Sequence, residues 1–432
     1  MTQTILDFAV EATDEKLTPR AGSILLGEYL KGIGLDSLSD THLPKPQSNR
    51  AYDSSSYISS LILMLHSGGR VLDDIRTIQY DKAIRTILKL KDVPKADTIG
   101  KWLKRTGLLG VYGIEKINKH LLKSHLKCCD KNELILDIDA TVIEAEKSTA
   151  RSTYKGPPGY TPMVGHINGG FLIHSEFRTG NIAPADTNLE FIKKCVKQLP
   201  KDCNLKYLRA DGASYQVKIL NYCFENNITF TIGAHLSPST RAEIKNISTW
   251  TQYSKYEQIA EYIDTMKHVE KAYRLIVVKK RITPMLPHIE DMLTPEQKAQ
   301  YFEEHYHVIA TNDLEHTAQE MLELYRQRGE TSENRIKELK LGFNMNYLPT
   351  SDFMANAFYF AIGTLAYNVF VLFKQTFEEG WKRHTVQTIR YKFYNIAGKV
   401  IQHARKTTLK VNSEFVNILN EIRLKSYQVS LQ

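Results

Sequence analysis

The period of the hydrophobic pattern changes along the chain. Up to about residue 130 apolar positions recur at helical spacing. Ser54–His66 (SSSYISSLILMLH) predicts an apolar helix, preceded by the polar, proline-bearing loop Leu43–Ser55. Arg70–Leu90 repeats the helical period, and Asp97 or Thr98 then caps a short basic helix, TIGKWLKR. Two helices joined by DVPKAD fit a helix-turn-helix, a pattern common to many helical domains. From 131 to 234 the period shortens. ELILDIDATVI is a β-branched run that predicts a buried strand, and MVGHING and GGFLIHSEFRTG predict a hairpin around Asn168-Gly169-Gly170. Thr187–Gln198 reads as a helix, LKYLRAD as a strand, SYQVKILNYCFENN as a helix and TFTIGA as a strand. Three meandering strands followed by alternating helices and strands predict a mixed sheet covered by helices.

Residues 235–320 break this alternation. RLIVVKKR and HYHVIATN are strand-like and flank the polar segment Thr283–His305, so the region reads as an inserted, β-containing subdomain. From Thr317 the pattern is helical again, through TAQEMLELYRQRG, SENRIKELKLGF and a long apolar helix. The expected organisation is a helical DNA-binding region (1–130), the first part of a catalytic core (131–234), an insertion (235–320), core helices (321–375) and a basic helical tail (376–432).

The apolar stretch Phe353–Phe373 is long enough to cross a bilayer. It contains Asn356, Thr364, Asn368 and tyrosines, and mean hydropathy is −0.34, so a buried core helix is the expectation. The start of the chain has no basic region before an apolar core, as a secretory signal would. Five cysteines without a C-x-x-C exclude a disulfide framework and a cysteine metal site, and suit a reducing, cytoplasmic setting. Net charge is +9, and Lys374–Lys425 holds 11 Lys/Arg against 4 Asp/Glu, interleaved with Trp381, Tyr391, Phe393 and Tyr394. That balance suits a polyanionic partner such as DNA, and is also compatible with a merely solvated surface.

Asp137 and Asp139 lie two apart near the C-terminal end of a predicted strand, hence on one face. Asp211 follows the next apolar strand at the equivalent end. Neighbouring carboxylates repel unless a cation holds them, so such a pair suits Mg²⁺. Two-metal phosphodiester chemistry uses a third acid. Glu333 sits at the edge of the stripe Ile336, Leu339, Phe343 on its helix; the alternative is a surface pair with Lys337. His166 and His174 flank the hairpin without a second ligand type at metal spacing.

LDIDAT, LRADGAS and YRQRGETSENRIKELK resemble the three acidic blocks of DDE transposases of bacterial insertion sequences. More narrowly they resemble the branch whose third block reads Y-x2-R-x3-E-x6-K, and GHINGG and HSEFRTGN resemble its spacer. The resemblance covers roughly residues 131–375. It implies an RNase H-like fold, with the insertion placed before the glutamate helix. It implies Asp139, Asp211 and Glu333 as catalytic ligands of two Mg²⁺ ions, with Mn²⁺ able to substitute. It implies DNA contacts at Tyr325, Arg328 and Lys340 of the third block and at Arg178 of the spacer. In that branch an inserted aromatic stacks on a flipped base, a role for which Trp250 is the candidate. Duplex DNA at terminal inverted repeats, target DNA and a homodimer bridging two ends are the implied partners. One departure stands out: four residues, not three, separate Arg328 from Glu333. Within a continuous helix this rotates Arg328 by about 100°, unless Gly329 breaks the helix.

Two other readings compete. LILDIDATVI also fits the D-x-D-x-T motif of haloacid-dehalogenase-type phosphatases, with Asp137 as nucleophile and Asp139 as acid/base. YLRADGAS offers only one acid where that class needs a second pair. The other alternative is a catalytically inactive, DNA-binding transposase relative.

Overall fold

The computed structural model describes residues 5, 6, 8–127, 129–282, 294 and 303–431. Most of the polar segment expected inside the insertion lies outside the described residues, as does Cys128. The chain divides into two compact units. One comprises Met1–Ile117, Gly342–Asn344 and Met354–Gln432, and the other Asn118–Leu341 and Met345–Phe353.

The first unit is built from both ends of the chain. Helices Ala21–Gly32 and Ser54–His66 meet the long apolar helix Phe353–Phe373, Tyr29 against Phe373 and His66 against the Ala366 carbonyl, and Leu35–His42 packs on the first two. The window long enough to cross a membrane, Phe353–Thr376, is fully buried, as expected of a core helix. His66 is sealed in this core, its ring nitrogens 3.0 Å from the Tyr394 hydroxyl and 3.0 Å from the Ala366 carbonyl. Two local expectations change. Arg70–Leu90 is not one helix but three short pieces; the last, Lys82–Leu88, is capped by Asp81, which accepts from Ile84 N at 2.8 Å. The helix expected to be short runs from Ala96 to Leu126, kinked at Gly107, whose φ of 43° and ψ of −124° are open to glycine. Its Trp102 stacks on Tyr57 with ring centroids 4.3 Å apart.

The tail is not purely helical. Gly398–His403 and Lys406–Val411 form a hairpin, joined by Lys16–Thr18 as a third strand. Alternation in KVIQH and KTTLKV favours strands. Ala404 and Arg405 both take positive φ, the geometry of a two-residue hairpin turn. The helix Ser413–Ser430 follows.

The second unit is a nine-stranded sheet. Its strands are β1 (Leu134–Ala140), β2 (Met163–Ile167), β3 (Leu172–Glu176), β4 (Leu205–Ala210), β5 (Thr229–Ala234), β6 (Thr251–Ser254), β7 (Glu257–Asp264), β8 (Tyr273–Ile282) and β9 (Glu303–Thr311). The order is β6-β7-β8-β9-β5-β4-β1-β2-β3. β1, β4 and β5 run parallel, and β2 and β3 are antiparallel additions. Helices α1 (Asn188–Gln198) and α2 (Val217–Glu225) connect β3 to β4 and β4 to β5. This is the mixed, helix-flanked sheet of an RNase H-like fold. β9, β8, β7 and β6 continue it as an antiparallel extension beyond β5. Helix α3 (Ala318–Lys337) begins with a capping box, Thr317 accepting from Glu320 N at 3.2 Å, and crosses the sheet.

Candidate functional site

Parallel pairing sets the first two acids side by side. Asp137 lies opposite Arg209, so Asp139 on β1 and Asp211 just after β4 stand two residues further on, at neighbouring C-terminal strand ends. Asp211 turns its Oδ1 to Ala213 N at 3.1 Å. Glu333 comes from α3. It is exposed, and the pair with Lys337 is not formed among the described residues. A cleft of about 290 Å³ is lined by Asp139, Thr141, Glu333, Lys337 and Lys340, with Ile336 and Leu341 as its apolar wall.

The electrostatics tie the three acids together. Asp139 has about one-fifth of its side chain exposed. Its carboxyl is pushed up to about 6, first by burial and then by the charges of Asp211 and Glu333, against the opposing pull of Arg328. Burial of the charged form is the larger cause, and the two neighbouring acids add to it.

Asp137 is excluded as the reactive carboxylate. It is 1% exposed and held by Arg209 through two bonds, Nε–Oδ1 at 2.6 Å and Nη2–Oδ2 at 2.8 Å. Arg335 of α3 adds a contact at 3.4 Å, and Arg209 also donates to the Leu324 carbonyl at 2.8 Å. A nucleophile must reach its substrate, and this carboxylate is saturated and covered. The phosphatase reading fails on that geometry.

The other expected contacts are dispersed. Arg328 is buried, donating to the Ile138 carbonyl at 3.0 Å and lying 3.5 Å from Asp139 Oδ2. α3 continues through Gly329 without a break, so the extra residue turns Arg328 onto β1 and Asp139. Lys340 lies in a wider π-type turn, Glu338–Gly342, and donates to the Val142 carbonyl at 2.7 Å at the cleft wall. Tyr325 is half-buried; a Cβ added at Gly233 would meet its hydroxyl at 2.9 Å. Its phenol is pushed up by burial and by Asp211 and Asp139. Arg178 is buried against Glu176, with Nη2–Oε2 at 2.7 Å, and does not face solvent. Trp250 precedes the outermost strand β6. Its indole donates to the Ile247 carbonyl at 3.3 Å, and the Lys279 amine lies 4.1 Å from a ring centroid.

The sequence reading missed Tyr154. It is half-exposed on the connection from β1 to β2, and its phenol is pushed up by burial and by the charges of Asp139 and Asp211. No motif marks it; only the path of that connection brings it near the acids.

The fold order, the acids at neighbouring strand ends and the third acid on the crossing helix agree with one comparison. The family model described as "Transposase DDE domain group 1" matches residues 6–423. The chain belongs to the DDE transposases. No curated protein matches it. A transposase acts on DNA, and members of this group generally use divalent metal ions, usually Mg²⁺. The donors here fit such an ion in kind: they are carboxylate oxygens, two of them on acids at neighbouring strand ends. Among the described residues no three His, Cys, Asp or Glu side chains converge tightly enough to hold one ion together.

Proposed function

We propose that this transposase moves its element by cut-and-paste transposition, with Asp139, Asp211 and Glu333 as the catalytic acids and metal ligands. The observation that carries the proposal is the placement of Asp139 and Asp211 at neighbouring parallel strand ends, with Glu333 from the crossing helix lining the same cleft as Asp139. When bound, two Mg²⁺ ions would supply the Lewis acidity that polarises an attacking oxygen and stabilises the leaving one. The chain's own residues then have separate tasks. Asp139 and Asp211 fix one side of the site through the rigid β1–β4 pairing. Glu333, unpaired and exposed, approaches from α3. Arg328 supplies a counter-charge to Asp139 and anchors α3 to β1. Lys337 and Lys340 line the cleft on the side where a phosphodiester strand would enter. Recognition of terminal inverted repeats is assigned to the unit built from the chain's two ends, with a homodimer bridging the two transposon ends. Trp250, on the sheet extension, is the candidate for stacking on an extruded base.

Strand cleavage tests this reading. Labelled duplexes carrying the element's terminal repeat are incubated with Mg²⁺ or Mn²⁺ and with wild type or Glu333→Gln. The expected result is metal-dependent nicking at the repeat boundary, lost in the variant, with end binding retained. Repeat binding without cleavage by wild type would instead identify an inactive DNA-binding relative.

A further inference from the structure

The β1–β2 connection is more ordered than its exposure requires. It forms a small sheet of Ile143–Glu144, Pro158–Tyr160 and Arg151–Ser152. Tyr160 is fully buried and its hydroxyl is 2.6 Å from Thr149 Oγ1, which lies 3.1 Å from the Ser351 carbonyl. Gly180 packs so closely that an added Cβ would sit 2.2 Å from the Arg151 carbonyl. At the tip, Thr153 Oγ1 donates to the Pro157 carbonyl at 2.9 Å, and Gly156 N donates to the Thr153 carbonyl at 2.9 Å. Gly156 takes φ of 104°, which a side chain would resist.

This scaffold presents two residues that do nothing for the core. Tyr154 is 52% exposed. Lys155 is exposed, forms no ion pair among the described residues, and holds its amine 5.9 Å from the Tyr154 ring centroid. The small sheet joins the end of the main sheet that carries Asp139: Thr141 N bonds the Pro162 carbonyl at 2.9 Å, and Tyr160 bridges to Thr179 beyond β3. Tyr154 feels the charges of Asp139 and Asp211, and Lys155 lowers the affinity of Lys340 for its proton, after burial. The turn is the tip of this small sheet, whose first strand follows directly on Thr141, which lines the cleft, and Val142, whose carbonyl accepts from Lys340 at the cleft wall; it adds an aromatic ring and a cation on that side of the site. An exposed ring beside an exposed amine suits a nucleic-acid strand: the amine neutralises a phosphate and the ring stacks on a base.

We propose that the Thr153–Pro157 turn is a DNA-contact element of the active site, with Tyr154 stacking on the base beside the scissile phosphate and Lys155 neutralising a neighbouring phosphate. The proposal rests on the transposase reading above, and deepens it by assigning a strand-gripping site outside the three acidic blocks.

The test uses full-length Tyr154→Ala, Tyr154→Phe and Lys155→Ala. Terminal-repeat duplexes carry 2-aminopurine beside the cut site. Binding and fluorescence are read in Ca²⁺ over a salt series, and single-turnover cleavage in Mg²⁺. Wild type and Tyr154→Phe should quench the probe; Tyr154→Ala should not, and should cleave about ten-fold more slowly at saturating DNA. Lys155→Ala should bind more weakly, with a salt slope lower by about one. Quenching and salt slope unchanged in the alanine variants would overturn the proposal. Failure of wild type to cleave would count against the catalytic reading instead, since contact is judged by the two Ca²⁺ readouts.

Discussion

Replacing Asp139 by Asn should make the metal-free protein more stable at neutral pH while abolishing cleavage. The folded-state value of about 6 lies above the ordinary 3.8. Stability from this group is therefore complete below the lower value and is lost as pH rises through the higher one. At about 1.4 kcal/mol per pH unit, the ionised carboxylate costs the fold about 3 kcal/mol at pH 7.5. That figure is a ceiling, because about one-fifth of the side chain is exposed and Asn gives up the 3.5 Å contact with Arg328. Arg328 is not orphaned by the change, since it keeps the Ile138 carbonyl. Unfolding entropy of about 2 cal/mol/K per residue turns 3 kcal/mol into a Tm rise of about 3 °C for cooperative melting of the whole chain. The rise would be roughly twice that if the second unit melts by itself. The assay is calorimetry in EDTA at pH 7.5 and pH 3.5, comparing wild type with Asp139→Asn. The variant should gain at pH 7.5 and match wild type at pH 3.5. An equal gain at both pH values, or a loss at pH 7.5, would refute the argument that burying the ionised carboxylate strains this site.

Asp137→Asn should behave in the opposite sense, losing about 3–5 kcal/mol at pH 7 because Arg209 is left buried without its counter-charge; urea denaturation measures it, and a loss under 1 kcal/mol would show the pair to be structurally idle. His66 gives a separate acid dependence. Its imidazole is lowered to about 3, chiefly by burial, so its contribution is present above 6.5 and is lost as pH falls toward 3. Between pH 7 and 4.5 this amounts to roughly 3 kcal/mol, and His66→Gln should flatten that part of the stability profile. A variant with the same slope as wild type would place the acid sensitivity elsewhere.

Much of the second unit was legible because its signals are local. The β-branched run at Leu134–Ala140, the Asn-Gly-Gly turn and the alternation after Thr187 each state their element directly. What escaped the sequence depends on partners far along the chain. Asp137 and Asp139 look equivalent by spacing. Only the register of β1 with β4 puts Arg209 beside the first and leaves the second at the strand end. Arg178 is the exception: its partner Glu176 lies only two residues before it, but spacing alone does not show that the two side chains meet. The tail reads as basic and helical, although its alternating stretch gains a third strand from residues 16–18, 380 to 384 positions away. Glu333 was recognisable from its resemblance to the third acidic block, whereas Tyr154 carries no pattern at all.

The extra residue before Glu333 yields a prediction with opposite outcomes for two views of Arg328. If Arg328 serves best at the family spacing, deleting Gly329 should restore three intervening residues and raise cleavage. The structure argues for the reverse. α3 is continuous through Gly329, and the half before it is fitted to the sheet at several points. Met321 and Leu322 are buried, the Leu324 carbonyl accepts from Arg209, and Arg326 pairs with Glu257 through two bonds at 2.8 and 2.9 Å. Deletion would rotate either that half or the Glu333 half by about 100° and shift it by about 1.5 Å. Exposing two core residues costs about 2 kcal/mol each before any polar loss is added. The deletion should therefore lower Tm and weaken cleavage together, while Arg328→Lys should keep the fold and lose part of the restraint on Asp139. Faster cleavage by the deletion variant would mean that Arg328 belongs on phosphate, and that its present bond to β1 is one the enzyme has to break.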